Sequence, residues 1–275
     1  MKALRWAGRW LRTHKRGEEE AALVVDVTWI ALRIGLASVL GAGVASAAVL
    51  GPGLIDLSNN NGFRAAAAIA APGVTAVEAK ATEGLAFRDH VYPTFRAAAA
   101  RHHHAFGGYL FLHPYESGAA QADYFLAYAK PRPGDIQPVV DSETGSPAAA
   151  ARATYAALRE LERRGYQPLL YASSSYLGEL MRTDPRLKRF RVWQAEYGPR
   201  LHLVAGVRVV AWQFTDRARV DGFSIDGSHL LVRSVRTIEW KPAKPKRHVR
   251  PKPVKLECGI QRPGPAPRKT GCQVR

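Results

Sequence analysis

Cysteine is scarce in this 275-residue chain: Cys258 and Cys272 are the whole complement, both near the C-terminus. Two thiols exclude a disulfide-stapled scaffold and a cysteine-ligated zinc cluster. Acidic side chains are also few, 23 against 40 Lys plus Arg, giving a formal charge of +17. There is no glycine-rich phosphate loop, and Ser173-Ser174-Ser175 lacks the nucleophile-elbow pattern, so serine catalysis has little support. What remains is 47% apolar and 23% charged, the balance of a globular chain. That balance rules out a wholly disordered chain, a collagen-like repeat and a multi-span membrane protein.

The positive charge sits mainly at the two ends. Residues 1–20 carry six basic and three acidic side chains, and residues 241–275 carry eleven and one, which leaves only +4 for residues 54–240. A near-neutral middle with no recognition motif argues against a specific nucleic-acid binder. The N-terminal part, 1–53, reads as a basic lead followed by a signal-peptide or signal-anchor segment. Its uninterrupted apolar run, Ile34 to Leu50, is short for a membrane span and ends in the small-x-small pattern Ala45-Ser46-Ala47. The expected location is secreted or membrane-anchored, facing the cell wall. The tail, 241–275, is proline-rich and basic, so an extended, disordered strand is expected there. Its charge suits anionic wall polymers or lipid headgroups, and after export Cys258 and Cys272 are able to pair.

Between them, residues 54–240 alternate strand and helix. Strand candidates fall at 54–58, 75–81, 106–113, 137–143, 167–173, 191–197, 208–215 and 223–226, with helices at 63–71, 92–102, 118–129 and 147–164. Ser146-Pro147 is a helix start and Gly165 a stop. Repeating β–α units call for parallel strands with right-handed crossovers. Eight strands favour closure, so the expected fold is α/β: an irregular (β/α) barrel with degenerate late helices.

Such barrels do chemistry at the C-terminal ends of their strands, where Asp56, Asp141, Glu143 and Asp226 fall. Asp141 and Glu143 are two apart and share a face if the strand persists. Carboxylates that close destabilise each other's ionised forms, so one holds a proton near neutrality. A protonated acid beside an anion is what glycosidic cleavage needs. Tyr109, Tyr171, Trp193, Tyr197, Trp212 and Phe214 lie near these positions, and flat rings cover the apolar faces of sugars. The run Arg101-His102-His103-His104 lies at the opposite barrel end, where adjacent imidazoles cannot all face one ion. Neither metal nor cofactor is expected.

The segments IDLSNNNG, EAKATEGLAF, GGYLFLHP, PVVDSET, LLYASSSY, VWQAEY and AWQFTD…VDGFSIDG, in this order across about 54–232, resemble glycoside hydrolase family 25. The resemblance implies a muramidase that cuts the β-1,4 bond between N-acetylmuramic acid and N-acetylglucosamine in peptidoglycan. It implies Glu143 as general acid. Asp141 is then the carboxylate that stabilises the transition state or orients the substrate's acetamido group, and Asp56 and Asp226 are the remaining acids. Tyr109, Tyr171, Trp193, Tyr197 and Gln213 are the expected substrate contacts. Whether the family's intermediate is covalent or formed by the acetamido group is left open. Two positions depart from the family pattern: Asn61 replaces a Gln, and Leu110 replaces a His whose loss is expected to alter substrate contacts or pH optimum. A non-catalytic wall-glycan-binding protein that keeps the groove is the alternative.

Overall fold

The computed structural model describes residues 53–242 and one short strand, Val24–Asp26. The apolar run Ile34–Leu50, most of the basic lead and nearly all of the proline-rich tail lie outside the described residues. Among the described residues no helix is long and apolar enough to cross a membrane.

Eight strands close into a barrel: β1 (Leu54–Leu57), β2 (Ala76–Glu83), β3 (Ala105–Phe111), β4 (Val139–Asp141), β5 (Leu169–Ser173), β6 (Arg191–Ala195), β7 (Arg208–Val220) and β8 (Phe223–Leu230). Each pairs with its neighbours in chain order, and β1 also pairs with β2 and β8, so no barrel edge is left. Four α-helices cover the early strands: α1 (Tyr92–Arg101), α2 (Gly118–Ala129), α3 (Pro147–Arg163) and α4 (Ser174–Thr183). The first connection holds a 3-10 helix, Phe63–Ala70, and none of these elements lies between β6 and β8. Val24–Asp26 pairs antiparallel with Arg200–His202 in the β6–β7 connection.

The expected irregular barrel is therefore present, with two corrections. Strands β1 to β7 run parallel, but β8 is antiparallel to both β7 and β1. The cause is Asp221-Gly222, whose left-handed φ angles of 47° and 82° form a two-residue hairpin turn between the paired Val220 and Phe223. Asp226 therefore lies inside a reversed strand rather than at a parallel strand's end. The second correction is α4, absent from the expected helices because its leading Ser174-Ser175 reads as loop. Tertiary packing of Leu177, Leu180 and Met181 outweighs that weak start.

Strand alternation divides the core in two. One set of side chains, including Leu54, Ala76, Val139, Leu169, Tyr171 and Trp193, fills the barrel interior. The alternate set, including Ile55, Val77, Leu110, Val140, Leu170 and Val192, packs outward against Phe95, Phe125, Leu158, Leu161 and Leu180 of the helices. At α3, the Ser146 hydroxyl accepts the Ala149 N–H at 3.4 Å and Pro147 opens the first turn. Gly165 follows at φ 92°.

Helices α2 and α3 pack so closely that Gly118 is required. A Cβ there stands 1.9 Å from the backbone oxygen of Ala153, which cannot swing away. Gly118→Ala is expected to cost about 1–3 kcal/mol through overpacking, read as a lowered thermal midpoint with the far-UV spectrum retained. An unchanged midpoint contradicts this packing.

Candidate active site

At the C-terminal mouth of the barrel a cleft is lined by Asp56, Ser58, Asn60, Lys80, Tyr109, Phe111, Val139, Asp141, Glu143, Tyr171, Trp193 and Asp226. All four carboxylates singled out from the sequence come together here. Register explains one pair, because Asp56 on β1 and Asp226 on β8 are direct cross-strand partners. Such partners bring their Cβ atoms within about 5 Å of each other. Asp141 ends β4, and Glu143 follows it at the mouth, where its side chain is still reached by solvent.

The electrostatics are lopsided. Lys80 is the one cation lining the cleft, and its ammonium already donates to Glu83 at 2.5 Å. Burial therefore acts on four acids with little compensation. It pushes Asp56 well above the usual carboxylate range, assisted by the charge of Asp226. Asp226 is raised to about 6, again by burial first, while a hydrogen bond from Asp56 pulls it down. Those opposite effects describe one proton held on Asp56 and offered to Asp226. Asp141 is also raised well above its ordinary value, by burial and then by Glu143, with Lys80 opposing. The pocket walls crowd Glu143 enough to raise it, and Asp226 is the second cause. The mutual repulsion expected of Asp141 and Glu143 is joined by two further causes: desolvation leads for both groups, and Asp226 on β8 adds its charge to Glu143.

Gln213 was expected as a substrate contact, and its place is different. It is buried, its amide N–H donates to Asp56 Oδ2 at 3.0 Å, and its carbonyl accepts the Tyr171 hydroxyl at 2.7 Å. Both ends are spent, so it positions an acid and a tyrosine rather than meeting sugar. Trp193 forms floor: its ring lies edge-on to Tyr171 at 4.9 Å and its indole N–H donates to Ser228 Oγ at 3.0 Å. Tyr109 and Tyr171 reach the cleft, and burial, then the carboxylates, keeps both hydroxyls protonated. Tyr197 stands outside it, 55% exposed at the rim. Trp212 and Phe214 are not among the lining residues; Phe214 stacks on His229, and Trp212 meets Phe214 edge-on.

The two departures from the family pattern do not face the cleft. Leu110 alternates with the lining residues Tyr109 and Phe111 and packs in the outer core, so the expected change in substrate contacts has no geometric basis. Asn61 closes a turn, its side-chain oxygen accepting the Ser58 N–H at 2.8 Å. His102, His103 and His104 lie at the C-terminal end of α1, before β3. Among the described residues no group of three His, Cys, Asp or Glu side chains is placed to hold a metal ion.

Glu78 is a residue that sequence patterning does not isolate. It is register partner to Asp56 on β2, only 1% exposed, and neither carboxyl oxygen has a hydrogen-bond partner. Gly107 makes room for it, since a Cβ there stands 2.2 Å from Glu78 Oε1. Its one available signal is an acid between the apolar residues Ala76, Val77 and Ala79, at the inward parity shared by Lys80.

Comparison with known proteins agrees with this fold. Residues 55–223 match Glycosyl hydrolases family 25. No curated protein sequence matches the chain. Among solved structures, a family 25 glycosyl hydrolase from Bacillus anthracis aligns with a TM-score of 0.58 and 19% identity, over 66% of this chain and 90% of its own. A muramidase from Acremonium alcalophilum aligns at 0.58 and 21%, over 66% and 94%. A lysozyme from Streptomyces coelicolor aligns at 0.57 and 20%, over 67% and 94%.

Burial raises the Glu78 carboxyl well above its ordinary value, with Asp56 as second cause. The folded protein then keeps a proton that the unfolded chain releases near pH 4.3. Stability from this group is full below that pH and is lost as pH rises toward the folded value. Glu78→Val removes an unpartnered buried carboxyl and is expected to add about 1–3 kcal/mol at pH 7. The gain should shrink at pH 4, as measured by denaturant unfolding at both. An equal or destabilising effect at the two pH values contradicts it.

Proposed function

The chain belongs to glycosyl hydrolases family 25, a lysozyme-type glycoside hydrolase, and we propose that it cleaves the β-1,4 bond between N-acetylmuramic acid and N-acetylglucosamine in peptidoglycan. The observation that carries this reading is four carboxyl groups gathered at one barrel mouth with a single, already paired lysine. Such a cleft relieves repulsion by holding protons, and a held proton is the reagent a glycosidic oxygen requires.

In this reading Glu143 is the acid. It stands at the mouth, where a leaving oxygen arrives, and its proton is kept by crowding and by Asp226. A glycan laid over it completes the desolvation and strengthens that hold. As the proton moves to the bridging oxygen, the bond to the anomeric carbon breaks and positive charge grows on the sugar ring. Ionised Asp226 stabilises that charge. Water then adds to the anomeric carbon and returns a proton to Glu143. Asp141 lines the same cleft and is placed to orient the substrate's acetamido group. Asp56, anchored by Gln213, supplies the hydrogen bond that keeps Asp226 anionic. Export to the wall and attachment there by the basic tail belong to the same proposal. Their support is the charge and apolar patterning of residues 1–53 and 241–275.

The non-catalytic alternative makes the opposite forecast for Glu143→Gln. We expect that variant to lose about 100- to 10,000-fold of wall-clearing activity, since an amide cannot donate the acid proton, while still sedimenting with walls. No clearing by the wild type favours the binding reading, and equal clearing by both removes Glu143 as the acid.

A second forecast concerns pH. Asp226 must be ionised and titrates near 6, so the rate should fall as pH drops through that value, and fall again as Glu143 deprotonates at higher pH. The residual rate of Asp226→Asn should lack the acidic limb. If that limb persists unchanged, another group sets it.

A further inference from the structure

The large apolar side chains left exposed among the described residues are Phe63, Leu85, Phe87, Tyr115 and Tyr197. Every one follows the C-terminal end of a barrel strand: Phe63 after β1, Leu85 and Phe87 after β2, Tyr115 after β3, and Tyr197 after β6. None lies at the opposite end of the barrel or on the outer faces of the helices. Random surface apolar residues do not collect on one face of a domain.

From this placement we propose that these side chains form an aromatic rim that carries a glycan strand across the mouth, beyond the sugars held over the carboxylates. The proposal rests on the hydrolase reading and adds to it which residues outside the cleft hold the strand. Strand order gives the direction. In a ring of eight, β6 lies opposite β2, so Tyr197 faces Phe87 and Leu85 across the opening. Glu143 follows β4 and Asp226 lies on β8, which are also opposite each other. A chain running from the β1–β3 side to the β6 side therefore crosses the acids at its middle.

Contacts join rim and cleft physically. Lys80, a lining residue, holds its ammonium 5.6 Å from the Phe87 ring centre and 5.2 Å from that of Phe111. Asn60, also lining, lies three residues before Phe63. The Tyr115 hydroxyl accepts the Ser146 N–H at 3.3 Å, which tethers the ring to the loop leaving Glu143 while the residue stays 75% exposed. An anionic bilayer is a poor occupant, because four carboxyl groups occupy the centre of this face. The rings are also parted by a polar cleft rather than joined in one patch, which disfavours a second copy of the chain. Separated flat rings around an acidic cleft suit the apolar faces of successive pyranoses.

The test uses the full-length protein with Phe63→Ala and Tyr115→Ala, singly and together. Cleavage and binding are compared on peptide-free glycan strands of graded length, the binding measured by calorimetry in a Glu143→Gln background. We expect each substitution to weaken long-strand binding about three- to tenfold and to raise KM on long strands more than on a disaccharide-repeat dimer. Circular dichroism reports whether the fold is kept, which exposure of both rings leads us to expect. Equal losses on long and short substrates, or none on either, overturn the proposal. So does loss of binding to phosphatidylglycerol vesicles, or of a dimer in ultracentrifugation, without an effect on strands. Strand binding that depends on the rim in a wild type that cleaves nothing sinks the hydrolase reading and leaves the rim standing.

Discussion

Crowding of like charge in a place that water reaches poorly is the constraint on which the rest of this molecule depends. Asp56, Asp141, Glu143 and Asp226 share one cleft, and the lysine beside them is already taken by Glu83. Burial leads the rise in every one of these groups. The chain tolerates this because burial keeps protons on part of the set, with Asp226 ionising near 6. That is a cost in the free protein and the source of its chemistry, a trade commonly made at functional sites.

The barrel exists to impose that crowding. Closure puts β8 beside β1, so residues 170 positions apart in the chain become cross-strand partners, Asp56 with Asp226. An all-parallel barrel with an Asp at a strand end places it elsewhere; reversal of β8 carries Asp226 down to the level of Asp56. Gln213 then fixes the pair, its two amide ends reading an acid on one side and Tyr171 on the other. Glu78 extends the same theme one position along β2. It is a buried acid that touches no partner and sits in space vacated by Gly107.

Much of this was legible in the sequence, and the reasons are specific. Eight strand candidates became eight barrel strands because alternating apolar side chains face either the helices or the interior, a period the chain displays openly. Ser146-Pro147 and Gly165 marked α3 through local capping chemistry. Reversal of β8 was also written, in Asp221-Gly222, but a βα count carries the eye past a hairpin turn. The Asp-x-Glu spacing located Asp141 and Glu143 in the same cleft without revealing which charge governs Glu143. The share that burial and Asp226 add depends on closure of the barrel, which no local pattern encodes. Gln213 and Leu110 mislead for a similar reason: motif membership says nothing about which way a side chain points, and strand parity decides it. The exposed rim was invisible, because Phe63 and Tyr115 look like any other loop aromatics until the loops are brought together.

Counting the protons in the cleft tests the account most directly. Carbon-13 NMR of the side-chain carboxyls in protein labelled at Asp and Glu, titrated from pH 3 to 8, follows each group through its own resonance. The account predicts that Asp56 titrates well above the ordinary aspartate range and Asp226 near 6, with Glu143 above the range of exposed glutamates. Four carboxyls that all ionise below about pH 4.5, as in water, would contradict it.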